Sequence, residues 1–264
     1  MTDAHCHVSG GDPAVRELLI GRDFVGVHPW DVEKWKSGKV EKWVDDLREQ
    51  LAANPRLGVG EIGLDRLKEK TISSEMRELF TAQLAFAFEF RRPVVLHGAK
   101  CWGEVVKQVT RNREQGTSEE CLTSCSSVLP ESDASATTRV PCSLFHVTSS
   151  PLLFHGFSRS DGLIPDIVRL NGYISVGPAV LNDHAVNYRA LVKKIPLDRL
   201  LVETDRDCPP EELLNPLTKQ PLVIRDVLEK TAEIRGLSPS DLEAVTDENA
   251  SRFLTGSMSP VTME

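Results

Sequence analysis

Four apolar runs in this chain each close on a side chain able to grip a cation, and that pattern restricts the fold more than any other feature. They are Leu57-Gly58-Val59-Gly60-Glu61, Pro93-Val94-Val95-Leu96-His97, Pro151-Leu152-Leu153-Phe154-His155 and Leu200-Leu201-Val202-Glu203-Thr204-Asp205. Short runs that are apolar throughout read as strands buried on both faces, the kind found in parallel sheets covered by helices. A fifth element stands at the N-terminus, where His5-Cys6-His7 places two imidazoles at i and i+2. On a strand that spacing turns both to the same side, within reach of one cation. In a β/α barrel the carboxyl ends of the strands converge on one mouth. The five elements therefore describe a metal centre assembled from separate strands. Imidazole together with carboxylate suits a borderline divalent ion.

The segments between the runs agree with this. Helices are expected from Lys39 to Ala53, from Ser74 to Phe90, over about Asp161 to Leu170, from Leu222 to Arg235 and from Pro239 to Phe253. A further strand is expected at Gly172-Tyr173-Ile174-Ser175-Val176-Gly177. Strand, helix, strand is the rhythm of parallel βα units, and 264 residues suit one barrel domain spanning 1–264. Two stretches depart from it. Residues 111–142 dissolve into Ser, Thr, Glu, Gly and Cys, which predicts a flexible insertion rather than a second domain. Short strands are then expected to end at His146 and at His155, with His155 the preferred functional residue. Upstream, only about twenty residues separate His7 from His28, where a barrel needs helix, strand and helix. A small helical stretch is expected near Pro13 to Leu19. The barrel is expected to lack or distort its second strand, leaving His5 and His7 less firmly placed.

Composition narrows the function classes. With 40% hydrophobic and 27% charged residues the chain can bury a full core. No run approaches the roughly 18 apolar residues of a membrane span, and the first residues lack a signal-peptide pattern. The expected compartment is the cytoplasm, with the nucleus as a second. Six cysteines are scattered without a disulfide framework, and Cys121 and Cys125 have no second pair to complete a zinc knuckle. A net charge of −8 argues against a broad basic surface for nucleic acid. A phosphodiester drawn to bound cations remains compatible with it, so any grip on DNA should be local.

Eight segments together resemble the TatD family of metal-dependent deoxyribonucleases, within the amidohydrolase-like TIM-barrel superfamily. They are Asp3-Ala4-His5-Cys6-His7, Val25-Gly26-Val27-His28-Pro29-Trp30, Val59-Gly60-Glu61-Ile62-Gly63-Leu64-Asp65, Phe80-Thr81-Ala82-Gln83-Leu84, Pro93-Val94-Val95-Leu96-His97, Phe154-His155-Gly156-Phe157-Ser158, Gly172-Tyr173-Ile174-Ser175-Val176-Gly177 and Leu201-Val202-Glu203-Thr204-Asp205. Each alone is weak; eight in the family's order are specific. The resemblance implies a TIM-type β/α barrel that hydrolyses phosphodiester bonds, trimming DNA from an end as an exonuclease. It implies two divalent ions, Mg, Mn or Zn, with a water activated between them. His5, His7, Glu61 and Asp205 would hold one, and Glu61 would bridge to a second bound by His97 and His155. Asp205 would also take the proton from the attacking water. His28 is expected beside the site in contact with substrate, and Glu203 as a support for a histidine or water or as one half of a buried ion pair.

Two positions differ from the family pattern. After His97 the family shows a Ser-Arg pair; here Gly98-Ala99-Lys100 stands, and Lys100 would supply the charge without the bidentate geometry. After Asp205, Arg206-Asp207-Cys208-Pro209 replaces small residues and proline. Two other readings use the same residues. One is an amidohydrolase acting on an amide or ester, since this ligand set also serves carbonyl chemistry. The other is a catalytically impaired barrel that binds a protein partner through its altered rim or the 111–142 segment.

Overall fold

The runs that end in candidate ligands pair in parallel, each with its neighbours in the sheet. The structure, a computed structural model, describes residues 1–35, 40–68, 70–124 and 150–256. Among these residues eight strands follow one another: β1 Thr2–Cys6, β2 Arg16–Leu19, β3 Phe24–Val25, β4 Gly58–Asp65, β5 Val94–Ala99, β6 Leu152–Phe154, β7 Gly172–Val176 and β8 Leu200–Val202. β3 to β8 form a six-stranded sheet in chain order, and β1 pairs with β2. All the pairings are parallel. Backbone contacts join the two sheets at both seams. Ile20 bridges Phe24 between β2 and β3, and beyond β8 the Asp205 N–H donates to the His5 carbonyl at 3.0 Å. This is the expected β/α barrel.

The helices are α1 Val32–Trp35, α2 Val40–Ala53, α3 Ser74–Glu89, α4 Trp102–Ser124, α5 Ile164–Arg169, α6 Val186–Val192, α7 Ile224–Arg235 and α8 Pro239–Thr255. Local chemistry sets their ends. Ser73 accepts the Met76 N–H at 3.2 Å to start α3, whose buried face is Met76, Leu79, Phe80, Gln83, Leu84 and Ala87. Ser238 caps α8 with Pro239 at its first position, and Gly256 ends it in the left-handed region (φ 69).

Strand alternation sorts the core into two layers. Val94 and Leu96, Leu152 and Phe154, Ile174 and Val176, Leu200 and Val202 pack against the helices. Val95, Leu153, Tyr173 and Leu201, one residue out of phase, form a separate cluster with Phe253 of α8. The period of two then places His97, His155, Ser175 and Glu203 on the same face as that inner cluster, two residues nearer the carboxyl ends. Phe253 is fully buried among them and stabilises the fold by about 2–3 kcal/mol.

Of the two expectations for the second strand, lacking or distorted, the structure shows the second: its pairing with β1 slips between Asp3 and Cys6. Two other expectations change. Residues Arg16–Leu19, read as helical, are that strand, because tertiary pairing to β1 overrides local propensity. The stretch from Arg111 is not all loop, since α4 continues to Ser124. Arg113 on that helix donates to the Leu170 and Ser150 carbonyls at 2.7 and 2.6 Å, fixing it to the barrel. The rest of the proposed insertion and His146 lie outside the described residues.

Candidate metal centre

Glu61 is the hub. It sits within β4, buried, and five histidines from four chain segments converge on its carboxylate. On one side, Oε2 lies 3.2 Å from His7 Nε2 and 3.6 Å from His5 Nε2. On the other, Oε1 lies 2.7 Å from His97 Nδ1, 2.6 Å from His155 Nε2 and 3.5 Å from His28 Nε2. Asp205 Oδ1 approaches the first group, 3.3 Å from His5 Nε2. All six residues expected as ligands are thus brought together, and His28 joins them closely enough to be a ligand itself. The groups His5–Glu61–His155, His5–His7–Asp205 and His28–Glu61–His97 each present donor atoms within 4.8 Å of one another.

The backbone shapes this convergence. Gly63 lets β4 lie against β5, since a Cβ there would stand 2.0 Å from the His97 carbonyl oxygen. Asp205 turns left-handed (φ 50), a conformation Asp tolerates, and so leaves the strand direction just past β8 with its carboxylate at the mouth. His5 is fully buried and its carbonyl accepts the Asp205 N–H, whereas His7 is exposed.

Electrostatics follow from crowding. Burial opposes the charge on Glu61, yet His155, His28 and His7 hold its carboxyl well below the usual range. Burial likewise opposes protonation of His155, but Glu61, Glu203 and Asp205 lift it to about 10. His5 is pushed down by burial and by the charge on His155. Neither ring nitrogen of His5, nor Nδ1 of His155, has a hydrogen-bond partner among the described residues. Buried polar atoms left so are costly unless a cation takes their lone pairs. The donor set of imidazoles and carboxylates therefore fits divalent metal.

The surrounding residues divide. Glu203 is fully buried, accepts from the Gly156 N–H at 2.7 Å and the Ser175 hydroxyl at 2.5 Å, and lies 3.9 Å from His155 Nδ1. Burial lifts it to about 8. Lys100 is exposed in a left-handed turn after β5 (φ 57), and no hydrogen bond or ion pair links it to the cluster among the described residues. Arg206, expected at the rim, is buried and faces Glu17 instead. Sequence reading missed Asp65, whose Oδ2 accepts from His97 Nε2 at 2.9 Å. Its signal was available: Glu61 and Asp65 are four apart on one strand and so share a face.

The barrel and this donor set define a metal-dependent hydrolase. Comparison with known proteins is specific about which. The chain belongs to the TatD-related DNase family, whose family model matches residues 21–255. It is 26% identical over 249 residues to the uncharacterized metal-dependent hydrolase YabD of Bacillus subtilis, covering 90% of this chain and 80% of that one. It is 28% identical over 235 residues to the 3'-5' ssDNA/RNA exonuclease TatD of Pectobacterium carotovorum, covering 86% and 75%. In fold it is similar to YjjV, a TatD homologue from Escherichia coli, with a TM-score of 0.62, 21% identity and coverage of 92% and 78%. A TatD-family hydrolase from Entamoeba histolytica superposes with a TM-score of 0.61 at 14% identity, covering 92% and 76%.

Proposed function

We propose that this protein is a two-metal phosphodiesterase acting on DNA, removing nucleotides from an end. The observation that carries the reading is the division of the Glu61 carboxylate, with Oε2 toward His5 and His7 and Oε1 toward His97 and His155. Glu61 and the two histidine groups on either side of it would hold a pair of divalent ions. Ions held there would lower the pKa of a bound water and neutralise charge on the phosphate.

The chain's own residues supply the rest. Asp205, at the mouth and half exposed, accepts the proton of the attacking water. Asp65 holds the His97 ring with Nδ1 toward Glu61. Glu203 braces the turn at Gly156, next to His155. A cavity of about 950 Å3 opens from Glu203 and Asp205 past Ser158, Arg159 and Tyr188. That is the size of pockets that enclose a small ligand. The name of the Pectobacterium relative, a single-stranded DNA and RNA exonuclease, supports this substrate class. Residues 1–264 then act as one hydrolase domain, and no described helix is long and apolar enough to cross a membrane.

The test is metal content by mass spectrometry and nuclease activity on the same sample, with and without chelator. Two ions per chain and activity abolished by chelator are expected. Full activity in excess chelator, or no metal uptake, would overturn the reading.

A further inference from the structure

Next to the histidine cluster an indole lies open. Trp30 belongs to the short 3-10 turn Pro29–Asp31 that follows His28, and 50% of its surface is exposed. What sets it apart from other exposed apolar side chains is its place beside the cluster of candidate ligands. Its ring centroid lies 5.0 Å from that of His28 and 6.5 Å from that of His97, at interplanar angles of 84° and 72°. Trp30 also adjoins Asp65, the carboxylate that accepts from His97. An open aromatic face thus stands beside the support of a candidate metal ligand. A cation completes the group: Lys68 Nζ lies 6.0 Å from the Trp30 ring centroid and 3.4 Å from its carbonyl oxygen.

We infer that Trp30 is a stacking platform for the nucleobase adjoining the scissile phosphodiester, with Lys68 beside it to meet the strand's phosphate. The inference deepens the phosphodiesterase reading above and rests on it. Aromatic side chains on which bases stack are one part of how single-stranded nucleic acid is held, and a local platform with a nearby cation suits a chain of net charge −8. Bases inside a duplex have both faces covered, whereas an unpaired base offers one to the indole. Such a platform favours an unpaired or frayed end over paired duplex, in keeping with the single-stranded substrates in the name of the Pectobacterium relative. Stacking tolerates every base, so the preference concerns strandedness rather than sequence.

The experiment compares steady-state kinetics of the metal-loaded wild type, Trp30→Ala and Trp30→Phe. Two substrates are used, a short single-stranded oligonucleotide and the same oligonucleotide with both terminal nucleotides abasic. Hydrolysis of bis(p-nitrophenyl) phosphate by the wild type runs alongside and reports on the phosphodiesterase reading alone. For the intact oligonucleotide, Trp30→Ala should raise KM about tenfold while kcat changes much less, and Trp30→Phe should retain most of the affinity. Abasic ends should weaken the wild type and erase most of the difference between it and Trp30→Ala. An unchanged KM in Trp30→Ala, or an equal loss on intact and abasic substrates, overturns the platform while leaving the phosphodiesterase standing. A wild type that takes up metal yet hydrolyses none of the three overturns the phosphodiesterase reading, and the platform with it.

Discussion

Thr204 holds Asp3 with two hydrogen bonds across the seam where the last strand of the barrel meets the first. Its backbone N–H donates to Oδ1 at 2.9 Å and its hydroxyl to Oδ2 at 2.6 Å, in a fully buried setting. One residue beyond Thr204 stands Asp205, and two beyond Asp3 stands His5, so this pair sets the distance between two candidate ligands. Burial raises the Asp3 carboxyl to about 6, against the Thr204 hydrogen bonds that lower it. In the unfolded chain a carboxyl titrates near 3.9. The folded state therefore binds the proton more tightly. That contribution to stability is complete below about pH 4 and is lost as pH rises through 6, amounting to about 2–3 kcal/mol. Asp3→Asn should remove this slope. Urea unfolding of metal-free wild type and variant from pH 4.5 to 8 measures it, and a constant difference across that range would refute the assignment.

Asp65 predicts a tautomer effect at the metal. Its Oδ1 accepts the Leu67 and Lys68 N–H groups at 2.6 and 2.9 Å, while Oδ2 accepts from His97. Asp65→Asn can keep the turn but offers His97 Nε2 a donor, which leaves the proton on Nδ1, the nitrogen facing Glu61. Metal affinity should fall about 10–100-fold with little change in thermal stability. Calorimetric titration with Zn²⁺ or Mn²⁺ checks this; wild-type affinity in the variant would show that Asp65 does not orient His97.

Asp205→Asn should lower kcat by at least about 100-fold, since the amide cannot take the water's proton and is a poorer ligand. Asn accepts the left-handed backbone as readily as Asp, so circular dichroism should match the wild type. Wild-type turnover in the metal-loaded variant would remove Asp205 from the role of base.

Arg206 ties the short N-terminal connection to the site. Its carbonyl accepts the His7 and Val8 N–H groups at 2.7 and 3.0 Å, and its buried guanidinium lies 3.5 Å from Glu17 and donates to the Leu222 carbonyl at 3.3 Å. Arg206→Met leaves Glu17 without its cation and should destabilise the protein by about 3 kcal/mol. Adding Glu17→Gln should recover part of that loss in thermal melts. Equal melting of wild type and Arg206→Met would show that the contact contributes nothing.

What the sequence by itself determined is what local pattern can encode. The apolar runs that lead to Glu61, His97, His155 and Asp205 are strands, because alternation and burial on both faces act within a few residues, although β4 and β5 run on past Glu61 and His97. Capping and periodicity marked α3 and α8 for the same reason. What only the tertiary structure decided depends on partners far along the chain. β2 is a strand because β1 pairs with it, over a composition that read as helix. α4 continues to Ser124 through polar sequence, with Arg113 fastened to carbonyls of Ser150 and Leu170. Arg206 is buried, not at the rim, because Glu17 and Leu222 meet it there. The pairing of Asp65 with His97 likewise exists only once β4 and β5 are brought together. A strand's alternation states which face a residue occupies; which residue stands opposite is fixed by the closure of the barrel.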